Sequence, residues 1–318
     1  MSDYGVVDEF AGILRAAVAR AAPGAPLVDL THGVPPFDIV AGARALVRCI
    51  DHLGPGVVLA VVDPGVGTDR RAIALRVAPG PAARAGAPAG PWALVGPDNG
   101  LLVAAAERLG GIGGAVALPP ASPPAGAERS TFDGRDVFAP AAGRLWSGAS
   151  LDSLGNEVDP GDLVRLPEAM LVVGPGCVQA EVLWVDRFGN VQLAARLAHA
   201  HQAGLGSDLV VEASAHRFAG RLVASFADAG SDRLGVLVDA NGQLAVVADR
   251  APAAIVLGVS AGDVVVVRSA GAEAGAGAGG HGIPAAGSGG VPGGGGVPGG
   301  WRRAGWTGPR GPTDGEAT

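Results

Sequence analysis

Residues 57–65 read Val-Val-Leu-Ala-Val-Val-Asp-Pro-Gly, and this stretch decides the fold. A run of consecutive apolar residues that is rich in valine is typical of a strand buried on both faces of a sheet. The run stops at an acidic residue followed by proline and glycine, which are turn-forming residues. We therefore predict a buried strand over residues 57–62 whose carboxyl end leads into a polar loop.

On either side of this strand, further strands alternate with helices. Apolar runs predict strands at 72–77, 92–95 and 116–118, and apolar residues at helical spacing predict helices at 6–21, 39–50, 101–109 and 136–145. This alternation indicates the α/β fold class, with a mostly parallel sheet in an N-terminal domain that we assign to residues 1–165.

The pattern changes after residue 165. Short strands separated by turn residues are predicted at 178–185, 190–194, 208–212, 234–239, 243–248 and 263–268. They indicate a smaller C-terminal β-barrel domain over residues 166–270. Residues 271–318 are repeats of Gly, Pro and Ala with little apolar surface to bury, so we expect a disordered tail.

The composition excludes several classes of protein. The 318 residues carry a formal net charge of -7 without a Lys/Arg cluster, which argues against nucleic acid as a partner. The two cysteines, Cys49 and Cys177, suggest neither a zinc site nor a disulfide framework. No signal peptide and no bilayer-spanning apolar run are present in the sequence. We therefore expect a cytoplasmic protein with no membrane partner.

Polar residues gather where the apolar runs end. Such elbows occur at residues 61–71, 95–100, 131–140 and 185–190. Each elbow by itself is a typical turn, because Asp and Asn favour caps and turns. Ligands bind outside the carboxyl ends of strands in α/β sheets, so the joint occurrence of the elbows predicts the rim of one binding site.

The residue types at these elbows narrow the chemistry. Gly65-Val66-Gly67 lacks the Lys-Ser/Thr of a phosphate loop and the third glycine of a dinucleotide fingerprint. His32 has no partner at metal-ligand spacing, so we expect no metal. No Gly-x-Ser-x-Gly elbow occurs either, which leaves no sign of a serine nucleophile of that type. Carboxylates, an arginine, amides and aromatic rings suit a cationic, hydroxyl-rich ligand such as a nucleoside, because one carboxylate can accept both hydroxyls of a ribose.

These motifs resemble those of the S-adenosyl-L-methionine (SAM) hydroxide adenosyltransferase family, whose relatives are the SAM-dependent fluorinase and chlorinase. The matching motifs are Asp63-Pro64-Gly65-Val66-Gly67-Thr68 with Arg70, Pro97-Asp98-Asn99-Gly100, the segment 131–136, and Asp186 with Phe188-Gly189-Asn190. The resemblance covers about residues 3–268. It implies hydrolysis of SAM to adenosine and L-methionine, with SAM as the substrate and no cofactor.

The resemblance also implies an assembly. Members of the family combine an N-terminal α/β domain with a C-terminal β-barrel and form a homotrimer. The substrate lies between the N-terminal domain of one subunit and the C-terminal domain of the next. We therefore expect a homotrimer whose active site lies at the subunit interface.

Five positions in the N-terminal half take substrate-binding roles from the resemblance. Asp3 would hold the ribose hydroxyls, and Phe37 would lie against the ribose. Phe132 and Gly134 would line the space beside the reacting carbon, and Asn99 belongs to a matching motif.

Three further positions correspond to the family's catalytic triad of Asp, Arg and His. Asp63 and Arg70 match the first two, and Asp133 stands where the family has His. In the implied reaction a water-derived oxygen attacks the 5′ carbon of the ribose and neutral methionine leaves. Arg70 would stabilise the developing hydroxide, and Asp63 would orient Arg70 and the water. Asp133 would accept the proton, more slowly than a histidine because Asp is the weaker base at neutral pH.

Three positions in the C-terminal half also take roles from the resemblance. Asp186 would bind the methionine ammonium, while Phe188 and Asn190 would pack on adenine and form hydrogen bonds with it. Ala240 departs from the family, which usually carries a serine there that helps to hold the methionine carboxylate.

Two alternatives stay open. Asp133, Ala240 and the shortness of the segment before Asp3, where a strand is expected, fit a SAM- or adenosine-binding protein that has lost turnover. A halide-using adenosyltransferase is less favoured, because the carboxylate of Asp63 beside the nucleophile would repel a halide ion.

Overall fold

The computed structural model describes residues 1–78, 91–122, 125 and 130–271. Two sheets organise this part of the chain: one of five strands, which ends at Glu157, and one of eight strands, which begins at Leu171. The predicted disordered tail at 271–318 lies, apart from residue 271, outside the described residues.

The N-terminal sheet has the strand order β1-β3-β2-β4-β5. Its strands are β1 (Gly56–Leu59), β2 (Ala72–Val77), β3 (Trp92–Pro97), β4 (Ile112–Leu118) and β5 (Asn156–Glu157). The accompanying helices are α1 (Phe10–Ala21), α2 (Ile39–Ile50), α3 (Val103–Leu109) and α4 (Ala139–Trp146), and a π-helical turn over Gly134–Phe138 leads into α4.

Helices cover both faces of this sheet. On one face α2 and α3 pack against the strands, with Leu46 and Ile50 fully buried. On the other face α4 packs against the sheet and Phe138 is fully buried, while α1 packs on α4. Burial on two faces explains why the strands are continuous apolar runs.

The α/β domain is confirmed, but the predicted mostly parallel pairing is wrong. β1 and β3 pair in parallel, whereas β2 pairs antiparallel with both β3 and β4, and β5 pairs antiparallel with β4. Parallel neighbours need a crossover connection. The chain from β1 to β2 runs through turns at 60–71 with no helix.

The C-terminal sheet closes into the predicted β-barrel. Its strands are β6 (Leu171–Gly174), β7 (Cys177–Val185), β8 (Val191–Arg196), β9 (Asp208–Ala213), β10 (His216–Leu222), β11 (Leu234–Val238), β12 (Gln243–Val247) and β13 (Val264–Ser269). Pairing of β13 with both β9 and β7 closes the ring, and β6 adds to β7 outside it. Two short helices, α5 (Leu197–Ala203) and α6 (Ala253–Leu257), cover the barrel.

The segment before Asp3 makes only a single bridge in place of a strand. Ser2 pairs in parallel with Val61, and both residues are buried. The backbone N–H of Asp3 donates to the Val61 carbonyl at 3.3 Å. This pairing holds Asp3 beside the end of the segment that follows β1.

None of the helices in the described residues combines the length and the apolar character needed to cross a membrane. Cys49 and Cys177 are both free thiols and half-buried.

Candidate active site

Arg70 joins the two carboxylates of the predicted triad. Its Nε donates to Asp63 Oδ1 at 3.0 Å, and its Nη2 donates to Asp63 Oδ2. The same Nη2 donates to Asp133 Oδ2 at 2.8 Å. The structure therefore brings Asp133 to Arg70, which lies 63 positions earlier in the chain and also binds Asp63.

Local structure explains how the three side chains meet. Asp63 directly follows the buried Val62, and the chain then turns back through Gly67, whose φ of +77° favours glycine. Asp133 directly precedes the π-helical turn that begins at Gly134. The guanidinium of Arg70 also lies 5.5 Å from the centre of the Phe138 ring, which that turn supplies.

The triad is largely shielded from solvent. The side chains of Asp63, Arg70 and Asp133 are 6%, 10% and 17% exposed. Burial raises the pKa of Asp63 above its ordinary value, and the neighbouring Asp133 adds to this, while the Arg70 guanidinium opposes it. Two carboxylates around one guanidinium leave the site with a negative balance.

The two carboxylates differ in what they leave free. Both oxygens of Asp63 are bound by Arg70. Of the Asp133 oxygens, only Oδ2 accepts a hydrogen bond within the part of the chain that the structure describes. Arg70 Nη1 likewise donates to none of the described residues, so this nitrogen and Asp133 Oδ1 are the groups that a bound molecule can reach.

Asp3 and Phe37 lie together, as the predicted ribose contacts require. The backbone N–H of Phe37 donates to Asp3 Oδ2 at 2.9 Å. Phe37 adopts a φ of +67°, which is rare for a residue with a side chain, and its side chain is 72% exposed. The turn thus joins the half-buried Asp3 to an exposed aromatic residue.

Phe132 and Gly134 border the triad on the side of an aromatic cluster. The Phe132 ring meets the rings of Tyr4 and Phe10 edge-on, each at 5.6 Å between centres. A Cβ on Gly134 would collide with the Tyr4 hydroxyl and lie 3.3 Å from the Phe132 ring. Position 134 is therefore tightly limited in size.

Several polar residues of the elbows prove to support the backbone instead. Asn99, a predicted binding residue, donates to the Val62 carbonyl at 2.8 Å and accepts from the Leu101 N–H at 3.2 Å. Asp98 accepts from Arg71 Nε at 2.8 Å. Asn99 thus fixes the turn beside Asp63, and its contact with substrate stays a prediction.

The second half of the motif 131–136 is also structural. Arg135 and Asp136 form two hydrogen bonds with each other, at 2.6 and 2.8 Å, and Ser130 Oγ donates to the same carboxylate at 2.7 Å. This small network holds the start of the π-helical turn.

In the barrel, Asp186 organises the turn between β7 and β8. Its Oδ1 accepts from the backbone N–H groups of Phe188 and Asn190, at 2.8 and 2.9 Å, and its Oδ2 accepts from Asn190 Nδ2 at 2.8 Å. The Phe188 ring is 77% exposed, whereas Asn190 is buried. Gly189, with a φ of +83°, lies so close to Pro252 that a side chain there would collide.

Among the described residues, no direct contact joins the two predicted halves of the site. No side-chain hydrogen bond, ion pair or ring contact between described residues joins the Asp186 turn to the triad. The structure has a cleft of ≈ 710 Å³ between α2, α3 and the barrel and another of ≈ 360 Å³ beside β1. Asp63, Asp133 and Asp186 line neither cleft. Phe37 and Phe188 are instead both open to solvent.

His32, the histidine that sequence analysis weighed as a metal ligand, is structural. Its Nδ1 lies 2.8 Å from Ser2 Oγ, and its Nε2 lies 3.1 Å from Asp29 Oδ1. Within the described ranges, no group of three or more His, Cys, Asp or Glu side chains is arranged to hold a metal ion.

Sequence analysis missed Tyr4 as a residue of this site. Its hydroxyl lies against Gly134, and burial followed by the charges of Asp3, Asp63 and Asp133 raises the pKa of Tyr4. The signal was present in the sequence, because Tyr4 directly follows Asp3 in the first polar turn, but the turn was interpreted through its acidic residue alone.

Comparisons with known proteins show the family of this chain. The model for the SAM hydroxide adenosyltransferase N-terminal domain matches residues 1–155, and that for the C-terminal domain matches residues 180–266. Several relatives carry the name (R)-S-adenosyl-L-methionine hydrolase, and two of them come from Salinispora. The one from Salinispora arenicola is 45% identical and the one from Salinispora tropica 43%, each over 82% of this chain and 94% of the relative.

A solved structure also resembles this chain. It is that of an uncharacterized conserved protein from Thermotoga maritima, with a TM-score of 0.73 and 28% identity. The match covers 84% of this chain and 98% of that protein. From its two matching domain models and these relatives, the chain belongs to the SAM hydroxide adenosyltransferase family.

Proposed function

We propose that this protein hydrolyses SAM to adenosine and L-methionine by attack of water at the 5′ carbon of the ribose. The observation that carries the proposal is the buried cluster in which Arg70 binds both Asp63 and Asp133. Relatives at 43–45% identity are named (R)-S-adenosyl-L-methionine hydrolase, and they support the same substrate.

Each member of the cluster has a distinct task in this reaction. Asp63 holds the guanidinium with both of its oxygens and so fixes its direction. Arg70 offers its remaining Nη1 to the developing hydroxide. Asp133 accepts the proton, because it alone of the two carboxylates has an oxygen that accepts no hydrogen bond from the described residues.

The charges of the reactants suit a shielded site. A hydroxide and a sulfonium carry opposite charges that cancel as the transition state forms. Removing water from the nucleophile and holding it behind the leaving sulfur therefore lowers the barrier. The burial of the triad provides this shielding on the protein side.

Substrate binding requires a second subunit in this proposal. Asp3 and Phe37 hold the ribose beside the triad, with Phe132 and Gly134 next to the reacting carbon. Asp186, Phe188 and Asn190 of a neighbouring copy hold the ammonium and adenine groups. The homotrimer is the assembly that the family resemblance implies, and the exposed Phe37 and Phe188 are available for contact with substrate and a neighbouring copy.

No cofactor takes part in the proposed reaction, since water and SAM supply every atom of the products. A cytoplasmic location and the absence of a nucleic-acid or membrane partner remain part of the proposal.

Incubation of the purified protein with SAM, with and without chloride or fluoride, tests the function. Chromatography should find adenosine and methionine in equal amounts, independent of halide, and neither product with Asp63→Ala. A 5′-halogenated nucleoside would instead indicate a halide-using enzyme. The two carboxylates around Arg70 argue against that outcome, because they repel an anion.

A SAM- or adenosine-binding protein without turnover is the second candidate. Asp133 favours it, because aspartate is a weaker base than the histidine of the family. Ala240 favours it as well, because it lacks the hydroxyl that helps to hold the methionine carboxylate. Intact SAM after long incubation, together with binding heat in calorimetry, would establish this candidate.

A further inference from the structure

Tyr4 lies at the edge of the triad on a rigid support. Its backbone N–H donates to Ser2 Oγ at 3.2 Å, and Ser2 is fixed by its bridge to Val61. Its ring packs edge-on against Phe132 at 5.6 Å between ring centres and lies tilted against Phe10 at 6.0 Å. Three contacts thus set the direction of the phenol.

The hydroxyl of Tyr4 reaches the residues that carry the chemistry. A Cβ on Gly134 would collide with it, so the hydroxyl lies directly against the residue next to Asp133. The fold leaves room for the hydroxyl only because position 134 is glycine. This is a close approach between two segments that are distant in sequence.

The Tyr4 hydroxyl is a protonated donor without a partner among the residues described by the structure. Burial and the charges of Asp3, Asp63 and Asp133 raise the pKa of Tyr4, so the phenol keeps its proton at neutral pH. A tyrosine hydroxyl normally finds a hydrogen-bond partner when its ring is packed inside a protein. Asp133, whose charge acts on Tyr4, directly precedes Gly134 and has one oxygen that accepts no hydrogen bond from the described residues.

Resting on the proposed hydrolysis of SAM, we propose that the Tyr4 hydroxyl is a further group of the active site. It donates a hydrogen bond to the attacking water while Asp133 accepts the proton of that water. The donor places one lone pair of the water oxygen, so that the other faces the 5′ carbon.

The step is balanced without any further reactant. The bond between the water oxygen and the 5′ carbon forms as the bond from that carbon to sulfur breaks, and the sulfur keeps the electron pair. The water proton passes to Asp133 and then to solvent. Tyr4 keeps its own proton throughout and stabilises the developing hydroxide, as oxyanion donors do.

Tyr4→Phe tests this role, because it keeps the ring packing and removes the hydroxyl. We expect kcat for adenosine formation to fall about 100-fold, the usual effect of removing one such donor, with KM for SAM nearly unchanged. Val7→Ala is the matched control: it lies in the same N-terminal segment, the residue is 95% exposed and outside the aromatic cluster, and the variant should keep kcat close to that of the wild type.

A double-mutant cycle separates the hydroxyl from simple crowding. Gly134→Ala should lower kcat strongly in the wild type and much less in Tyr4→Phe, because the added methyl group then has no hydroxyl to displace. Equal kcat in the wild type and Tyr4→Phe, or additive effects of the two substitutions, would overturn the role of Tyr4 and leave the proposed function standing. A wild-type protein that forms no adenosine would overturn the proposed function and this role with it.

Discussion

Asp133 stands at the position where the family resemblance places a histidine. The reference pKa of His is about 6.5 and that of Asp about 3.9, so a histidine is the better proton acceptor at neutral pH. We expect Asp133→Ala to lower kcat by about 100-fold or more, as loss of a general base does, and Asp133→His to raise kcat above that of the wild type. Steady-state kinetics of adenosine release provides the measurement. Full activity in Asp133→Ala would show that Asp133 is not the base.

Asp63 should set the acid limit of activity. Burial raises its pKa, so Asp63 takes up a proton at a higher pH than the ordinary value of about 3.9. Once neutral, it no longer holds Arg70 by an ion pair. We therefore expect kcat to fall as the pH decreases, with a midpoint above that ordinary value, while circular dichroism shows the fold intact. Asp63→Asn should be slow at every pH. A profile that is flat down to the ordinary range of Asp would contradict this assignment.

The adjacent arginines Arg70 and Arg71 form different contacts. Arg70 binds the two carboxylates of the triad, whereas Arg71 binds Asp98 and the Asp162 carbonyl. The sequence shows both arginines in one polar loop but does not distinguish between them. Which of them faces the site depends on contacts with residues 133 and 162, which are far away along the chain.

At the scale of elements, the helix pair α1 and α4 holds the π-helical turn that carries Asp133. The two helices touch at Gly143, where a Cβ would collide with Ala21 Cβ and lie 2.6 Å from the Ala21 carbonyl carbon. This close packing supports the wall of the site that is opposite to α2 and α3.

A pair of glycine substitutions tests that packing. Gly143→Ala should lower the free energy of unfolding by about 1–3 kcal/mol, because the added methyl group forces the helices apart. Gly12→Ala, in the same helix pair but open to solvent, should raise it by up to about 1 kcal/mol because alanine favours the helix. Urea unfolding of both variants measures the change in the free energy of unfolding, which should be negative for Gly143→Ala and positive for Gly12→Ala. A stabilising Gly143→Ala would mean that α1 and α4 are not in close contact.

β10 is a strand that sequence analysis missed because its residues lack a local strand pattern. β10 contains Arg217, Gly220 and Arg221, which break the apolar alternation of a strand. The predicted elements, by contrast, carry unbroken apolar runs or helical spacing. Pairing with β9 and β11 stabilises β10 through its backbone, which no local pattern reveals.

For the whole molecule, a site shared between subunits can be tested by complementation. Asp63→Ala damages the N-terminal half of the site, and Phe188→Ala removes an exposed ring from the C-terminal half. Each variant alone should show little hydrolysis at low SAM concentration. Trimers assembled from equal amounts of both should regain about one quarter of the wild-type activity, because a quarter of the shared sites combine two intact halves.

The outcome of that mixing depends on where the site lies. Trimers of the two variants that show no gain over either variant alone would place both halves in one chain. Light scattering of the wild-type protein gives the assembly state independently, with three copies expected.

The sequence by itself determined the α/β domain, the barrel and the residue types of the site. These follow from local patterns: apolar runs form buried strands, helical spacing forms helices, and Asp and Gly mark the turns after them. Periodicity of this kind is a property of neighbouring residues, so it is readable without the fold.

Only the tertiary structure decided the mixed pairing of the first sheet and which polar residues of the elbows contact one another. It brought Asp133 and Tyr4 to Asp63 and Arg70, and it assigned Asn99 to the support of a turn. The physical reason is that strand order and side-chain direction are set by contacts between residues far apart in the chain. Those contacts form only when the sheet and its covering helices pack together, so no local pattern reveals them.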